Sequence, residues 1–181
     1  FGSTGSSDRA LGGLGSGGTY FGSPASGAVA GWIALGLTNT AAGTVTDLTL
    51  RFNGEQWRNG GNASQAAQSM VLEYGIGASF GSVATWTAPG GGFNWASPVN
   101  AATAGSVDGN GAGQVANLGG TIGGLNWQPG QTLWLRWVEV NDAGNDHGLA
   151  IDNVSLTAGA VLSPGVVVTQ SGGSTAVAET P

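Results

Sequence analysis

The chain is divided into short apolar or alternating runs, each bounded by Gly, Pro, Asn or Asp, and almost none of it repeats with helical periodicity. Such runs predict β-strands, because successive side chains of a strand point to opposite faces. We expect strands over residues 19–24, 28–38, 45–57, 69–79, 83–88, 114–124, 131–140 and 148–157. Only residues 62–70 are compatible with one or two helical turns, and they lack a periodic apolar face.

Strands without intervening helices must pair antiparallel, which leaves a sandwich or a barrel. We predict an all-β, antiparallel, two-sheet jelly-roll sandwich over residues 1–158. Glycine supplies 36 of the 181 residues, against an average usage of about 7 %, and the excess without a collagen-like period suits many tight turns. Residues 159–181 read as a linker and an extended strand, which either begins a following domain or joins a neighbouring chain.

Alternation within the strands predicts which side chains form the core. Leu133, Leu135 and Trp137 share one face of their strand, with Trp134, Arg136 and Val138 on the other. Leu48, Leu50 and Phe52 share a face opposite Asp47, Thr49 and Arg51. Leu149, Ile151 and Asn153 share a face of the last strand. Several strands carry large residues on both faces, so the second face is either partly covered or presents an aromatic surface.

The charge balance restricts the partners. The chain has no lysine and four arginines against ten Asp and Glu, which gives a net charge of −6. Nucleic acids and anionic membranes require clustered basic residues, so the charge balance argues against both as partners. Calcium, neutral sugars and other proteins remain compatible with this surface.

Other compositional features point to a secreted protein. Without cysteine, disulfides, thiolate zinc sites and cysteine nucleophiles are excluded. The composition is typical of secreted bacterial surface proteins. The longest apolar stretch, residues 27–37, is too short to cross a bilayer. No signal peptide precedes Phe1, so we expect a processed protein or a piece of a longer one.

The peptide NDAGNDHGLAIDN (141–153) concentrates carboxylates and the single histidine. Oxygen ligands of the kind that calcium prefers are available there and at the first strand, which we expect to meet the last strand. The candidate ligands are Asp8, Asp142, Asn145, Asp146 and Asp152. In the alternative interpretation, Asp142 and Asn145 are turn formers and Asp152 forms an ion pair with Arg9.

The sequence offers little support for catalysis. His147 lacks a recognisable nucleophile to activate, so we interpret it as a hydrogen-bonded turn residue. Glu55, Glu73 and Glu139 fall on predicted strands, where jelly-roll glycosidases carry paired carboxylates. We expect each of them to pair with an arginine instead, which leaves a glycosidase using Glu55 and Glu139 as the weaker alternative.

Tryptophans form the remaining candidate site. Trp32, Trp134 and Trp137 lie in strongly apolar strands and are predicted to be core residues, whereas Trp57, Trp86, Trp95 and Trp127 border loops. Trp86, Phe93 and Trp95 surround a triple glycine and form the best candidate for an exposed carbohydrate platform or protein contact. The alternative is a long loop that packs its own aromatic side chains over a sheet edge.

Four stretches resemble a known module: SDRALGGLGSGG, FNGEQWRNGGN, VDGNGAG and LWLRWVEVNDAGNDHGLAIDNVSL. They are similar to a β-sandwich module of large secreted bacterial proteins, over residues 6–158. The module occurs in surface proteins with a C-terminal PEP-type sorting signal and ahead of extracellular endonuclease/exonuclease/phosphatase domains. The resemblance implies no catalytic residues. The family often has Asp where this chain has Asn153, and the tail VVVTQSGGSTAVAE is similar to the opening of calcium-binding β-sandwich repeats.

Taken together, these features predict an extracellular, non-catalytic module with a structural or adhesive role, pinned by structural calcium and self-associating through its C-terminal strand. Neighbouring copies or domains of the same protein are the expected partners, with polysaccharide as a further one. A carbohydrate-binding module is the first alternative, and a glycosidase is the second.

Overall fold

The computed structural model describes residues 1–15, 24–159 and 161–162, and these residues form an all-β sandwich of two antiparallel sheets. Two short 3₁₀ turns, Phe80–Ser82 and Gly91–Phe93, interrupt the loops. In chain order the strands are β1 (Leu11–Leu14), β2 (Val29–Thr38), β3 (Thr44–Val45), β4 (Leu48–Asn59), β5 (Ser69–Ile76), β6 (Trp95–Ala96), β7 (Gly105–Ser106), β8 (Gln114–Ile122), β9 (Thr132–Val140), β10 (Gly148–Ala158) and β11 (Val161–Leu162).

The first sheet, called sheet A, has the order β1-β10-β4-β7, and β8 also pairs with β4. The second, sheet B, has the order β2-β9-β5-β6, and β3 and β11 form a separate two-stranded ladder. The first and last long strands of sheet A are neighbours, since Leu11 of β1 lies opposite Ile151 of β10. The antiparallel pairing and the two-sheet arrangement confirm the predicted fold class, and the jelly-roll connectivity stays a prediction.

The core lies between the two sheets, as the alternation of the strands predicts. Sheet A contributes Leu48, Leu50, Phe52, Leu149 and Ile151, and sheet B contributes Met70, Leu72, Leu133, Leu135 and Trp137. Phe52 meets Trp137 edge-on across the interface, with 5.4 Å between ring centroids. Burying these large side chains is the main favourable contribution to folding, at about 25 cal/mol for each Å² of apolar surface.

Some predicted elements differ from the structure. Residues 83–88 make only an isolated bridge, Thr87 with Tyr74. Within residues 62–70, a turn and an irregular loop lead into β5, which begins at Ser69. The strand predicted over 19–24 and most of the predicted tail fall outside the described residues. β1 was not predicted, because LGGL has two glycines in four residues and too little apolar character for a strand signal.

β10 contains an irregularity that the alternation rule does not anticipate. Asp152 pairs with Asn53 and Ser155 with Arg51, so three steps along β10 match two along β4. Asn153 takes up the extra residue with φ of 52°, a conformation that asparagine tolerates better than most residues. The prediction that Asn153 shares the buried face of Leu149 is therefore wrong, and its side chain is exposed. No helix among the described residues is long and apolar enough to cross a membrane.

Candidate functional site

The five predicted calcium ligands do not gather at one place. Asp142 and Asp146 lie together in the turn before β10, where the Asp142 backbone N–H donates to Asp146 Oδ1 at 2.8 Å. Asp152 follows Asp146 by six residues along β10, a distance of roughly 20 Å in extended chain. Asp152 and Asp8 instead lie close enough to Glu55 to raise its pKa. These residues do not fit a single ion.

The alternative ion pair is also absent. Arg9 Nη1 donates to the backbone carbonyls of Ser3 and Asp8, and it forms no ion pair with Asp152. Across the described ranges, no three side chains of His, Asp or Glu are placed to hold a metal ion. The prediction that Asp142 and Asn145 are turn residues is the one that agrees with their positions between β9 and β10.

The turn at residues 141–147 is fastened to the loop at residues 60–68 by a set of hydrogen bonds, which we call the clasp. Loop 60–68 leads from sheet A to sheet B, and turn 141–147 leads from sheet B back to sheet A. The bonds are Gly60 N–H to His147 Nδ1 (2.8 Å), Asn62 Nδ2 to Ala143 O (2.7 Å), Gln68 Nε2 to Asn145 O (3.1 Å), Asn145 Nδ2 to Gly61 O (3.1 Å) and His147 N–H to Gln68 Oε1 (2.5 Å).

His147 acts in the clasp as an acceptor, which requires the neutral imidazole with its proton on Nε2. Burial lowers the pKa of His147, because the charged form would be desolvated. Arg58 reinforces this effect electrostatically while its Nη1 donates to the Asp146 carbonyl at 3.0 Å. The interpretation of His147 as a hydrogen-bonded turn residue agrees with this geometry.

The three strand glutamates have different environments. Glu73 forms the expected ion pair, with Arg136. The predicted arginine partner is wrong for Glu55, which is fully buried and accepts the Trp57 indole N–H at 2.9 Å. It is also wrong for Glu139, where burial and the nearby Asp146 raise the pKa to about 8. Among the described residues, neither Glu55 nor Glu139 forms an ion pair with an arginine.

Glu55 and Glu139 do not share a cleft. Alternation along β4 places Glu55 with Trp57 on the outer face of sheet A, against Ala10 and Ala150. Glu139 lines a cleft of about 350 Å³ between the edges of β1 and β2, and it is the single carboxylic acid among the lining residues. A glycosidase would need two carboxyls within roughly 5–10 Å across one open site, an arrangement that these two residues do not provide.

The prediction that Trp86, Phe93 and Trp95 form an exposed aromatic platform is wrong, because two of the three side chains are buried. Trp95 is 4 % exposed and Phe93 is 7 % exposed, and both belong to the core between the sheets. Neither side chain can therefore present a face to a ligand, and only Trp86 of the predicted trio lies at the surface, half-buried. Trp57 and Trp127, which border loops in the sequence, are buried as well.

A different set of aromatic side chains covers the outer face of sheet B, and we call it the aromatic face. It consists of Trp32 on β2, Trp134 on β9, Phe80 in the 3₁₀ turn after β5, and Trp86. Phe80 is the centre of the group, stacked on Trp32 at 5.4 Å, tilted against Trp86 at 5.2 Å and edge-on to Trp134 at 5.7 Å. Trp32 is 52 % exposed, so the prediction that it is a core residue is wrong.

Glycines flanking the central strand make room for this cluster. Trp134 pairs with Gly36 of β2 and Gly75 of β5. A Cβ atom at Gly36 would lie 2.9 Å from the Trp134 ring, so the ring rests directly on the β2 backbone. The indole N–H of Trp134 then donates to the Gly77 carbonyl at 3.1 Å, which fixes the ring in the plane of the face.

An arginine and a glutamate complete the aromatic face. The Arg136 guanidinium carbon lies 4.0 Å from the Trp86 ring centroid and 5.8 Å from that of Trp32, within cation–π range. Glu73, on the adjacent strand and directly opposite Arg136, accepts its Nε–H at 2.7 Å. The face therefore combines flat apolar rings with a half-exposed polar pair.

The sequence contained part of the signal for this site. Trp134 alternates with Leu133 and Leu135, and Trp32 with Ile33, so parity alone places both tryptophans on the outer face. The contribution of Phe80 was missed, because it comes from a loop that folds back over the sheet and no periodicity marks it.

No family model, no curated protein and no solved structure matches this chain. Its resemblance to the secreted β-sandwich module stays a prediction, and the function is inferred from the side chains described above.

Proposed function

We propose that this chain is a non-catalytic, extracellular adhesive module of a larger secreted or surface-assembled bacterial protein, and that it attaches to polysaccharide through the aromatic face. The observation that carries the proposal is the gathering of three tryptophans and Phe80 on one outer sheet face, with Trp32 half exposed. Contiguous aromatic surface that reaches solvent promotes aggregation, so in soluble proteins it usually marks a binding site.

The chemistry of the face favours sugars over other partners. Indole rings offer flat apolar surfaces for the C–H faces of sugar rings, and the adjacent Arg136 and Glu73 side chains offer donors and acceptors for hydroxyl groups. A net charge of −6 without any lysine disfavours nucleic acid and anionic lipid. Polysaccharide is thus the partner that uses both the rings and the polar pair.

Affinity electrophoresis in gels containing soluble neutral polysaccharides tests this proposal. We expect retardation in at least one neutral gel, and Trp32→Ala should weaken it by about tenfold or more, equivalent to about 1.4 kcal/mol. Val154→Ala is the matched control, because Val154 is an exposed apolar residue on β10 of the other sheet. Unretarded wild-type protein in every neutral gel would overturn the proposal.

A second candidate function is self-association through the C-terminal strand, which lies outside the described residues. The supporting observation is β2, a ten-residue strand that pairs on one side with β9 and on the other with no described strand. Long apolar edge strands are templates for strand addition, and Val29 of this edge is exposed.

Deleting residues 164–181 tests that second candidate. Strand exchange predicts concentration-dependent oligomers in light scattering, and the deletion should convert them to monomers. Val29→Lys, which places a charge on the β2 edge, should weaken assembly as well, whereas Ala42→Lys in an exposed loop serves as the control. A full-length protein that stays monomeric at high concentration would eliminate strand exchange.

A further inference from the structure

We infer that the aromatic face selects uncharged sugars over carboxylated ones, and that Glu73 sets this selectivity by neutralising Arg136. The inference rests on the proposed polysaccharide binding and names its ligand class. It makes Glu73 a specificity-determining residue.

The ion pair between Arg136 and Glu73 uses only some of the polar atoms of each side chain. Arg136 Nε–H donates to Glu73 Oε2 at 2.7 Å, and Arg136 Nη2 lies 2.5 Å from the same oxygen as an ion-pair contact. Glu73 Oε1 and Arg136 Nη1 have no hydrogen-bond partner among the described residues. The Arg136 side chain is 19 % exposed and the Glu73 side chain is 25 % exposed, so part of the pair reaches the surface of the aromatic face.

Those free atoms supply one acceptor and at least one donor beside the rings. The hydroxyl groups of a bound sugar can donate to Glu73 Oε1 and accept from Arg136 Nη1. A sugar carboxylate has no proton to donate at neutral pH, and it would face the Glu73 carboxylate at close range. Hydroxyl groups therefore use both atoms, whereas a carboxylate in the same place uses only the arginine and faces the negative charge of Glu73.

Arg136 is the only cation on this face of the described structure. The chain has no lysine, and its other three arginines lie elsewhere. Arg9 binds carbonyls of the N-terminal segment, Arg51 is on the outer side of sheet A, and Arg58 binds the carbonyl of Asp146. With Glu73 present the local charges cancel, and without Glu73 the guanidinium is a free partner for carboxylates.

Glu73→Gln tests the inference, because it replaces the carboxylate with a neutral amide of similar shape. The introduced glutamine keeps an oxygen that can accept the Arg136 Nε–H, and the guanidinium stays partly exposed, so the Glu73→Gln variant should fold, as circular dichroism and Tm can verify. Asp108→Asn is the matched control, since it changes the net charge equally from an exposed loop beside Trp57, away from sheet B.

The probes are a soluble neutral glucan and a polyuronate of similar length, compared by affinity electrophoresis at low salt. We expect wild-type protein to bind the neutral polymer at least tenfold more tightly. Glu73→Gln should raise the affinity for the polyuronate at least fivefold, and added salt should remove the gain. Asp108→Asn should leave the ratio unchanged, and a double variant that also carries Arg136→Gln should lose the gain.

The outcomes separate this inference from the proposed function. An unchanged ratio in Glu73→Gln, or an equal gain in Asp108→Asn, overturns the role of Glu73 while leaving polysaccharide binding intact. Wild-type preference for the polyuronate overturns the ligand class. If wild-type protein binds neither polymer and only Glu73→Gln binds the polyuronate, the neutralising role stands and the proposed function fails.

Discussion

His147 is held in the clasp as a neutral acceptor, and this state makes its contribution to stability depend on pH. Protonation would place a proton on Nδ1, where the Gly60 N–H now donates. The folded-state pKa of His147 is lowered by burial, so the unfolded chain takes up the proton first. The contribution is therefore fully present above the ordinary pKa of 6.5 and is lost as the pH falls below it.

We expect His147→Gln to flatten this part of the pH dependence. The glutamine carbonyl can accept the same Gly60 N–H but does not titrate. Below pH 6.5, the wild type should lose stability relative to the variant by up to about 1.4 kcal/mol for each pH unit. Urea unfolding between pH 7.5 and 5 measures the difference, and parallel curves for the two proteins would contradict the role given to His147.

The contribution of Glu139 to stability has the opposite dependence on pH. Its folded-state pKa is about 8, against an ordinary value of 4.5, because burial and the carboxylates of Asp146 and Asp142 disfavour the charge. The Gly15 backbone hydrogen bond only partly compensates. The folded protein keeps this proton in a range where the unfolded chain has released it, so stability is lost as the pH rises from 4.5 through about 8.

Replacing Glu139 by glutamine should stabilise the protein at alkaline pH. Glu139→Gln keeps a neutral side chain of similar shape, so we expect the variant to exceed the wild type at pH 9 by a few kcal/mol, on the order of 1.4 kcal/mol for each unit of pKa shift. The two proteins should converge near pH 4.5. Thermal unfolding monitored from pH 4.5 to 9 measures this, and a constant difference at all pH values would refute the assignment.

At the level of elements, the burial of Trp95 depends on a glycine in the facing sheet. Trp95 belongs to the short edge strand β6 of sheet B, and its ring lies against Gly54 of β4 in sheet A. A Cβ atom at Gly54 would be 2.3 Å from Trp95 Cδ2. The absent side chain of Gly54 is what allows a loop-flanked tryptophan to enter the core.

Gly54→Ala should therefore destabilise the sandwich. Overpacking of this kind costs about 1–3 kcal/mol, because the indole ring or the β4 backbone must move. Gly105→Ala is the matched control, since Gly105 is a strand glycine on β7 with nothing within 4 Å of a Cβ atom. We expect it to change the free energy of unfolding by less than about 0.5 kcal/mol. Equal effects in chemical denaturation would show that the Trp95 contact does not matter.

At the level of the whole molecule, the clasp joins two connections that cross between the sheets. Its five hydrogen bonds tie loop 60–68 to turn 141–147 at one end of the sandwich. The predicted calcium ligands are divided between this turn and the neighbourhood of Glu55.

We expect calcium to leave the thermal stability nearly unchanged. Because the described carboxylates do not converge on one ion, millimolar Ca²⁺ compared with EGTA should shift the Tm by less than about 1 °C, below the roughly 2–4 °C that 1 kcal/mol produces in a domain of 150–250 residues. Calorimetry in both buffers measures this. A larger rise that Asp146→Asn removes would establish a calcium site in the turn.

Much of the framework was predictable from local rules. The apolar runs located β2, β4, β5, β8, β9 and β10 within a few residues, and parity identified Leu48, Leu50 and Phe52 as core. Local rules failed where a side chain is placed by distant chain. Trp95 is covered because β4 offers a glycine. Phe80 meets Trp32 and Trp134 because its loop folds back over sheet B.

The sequence by itself determined an all-β antiparallel sandwich, since alternation and the scarcity of helical periodicity are properties of neighbouring residues. It also excluded cysteine chemistry, because the chain contains no cysteine, and its charge balance predicts that nucleic acid is not a partner. The tertiary structure decided which aromatic residues are accessible and which carboxylates meet, because burial and electrostatic contact depend on how sheets A and B pack. For the same reason, only the fold shows that the carboxylate-rich turn before β10 is a fastening between the sheets.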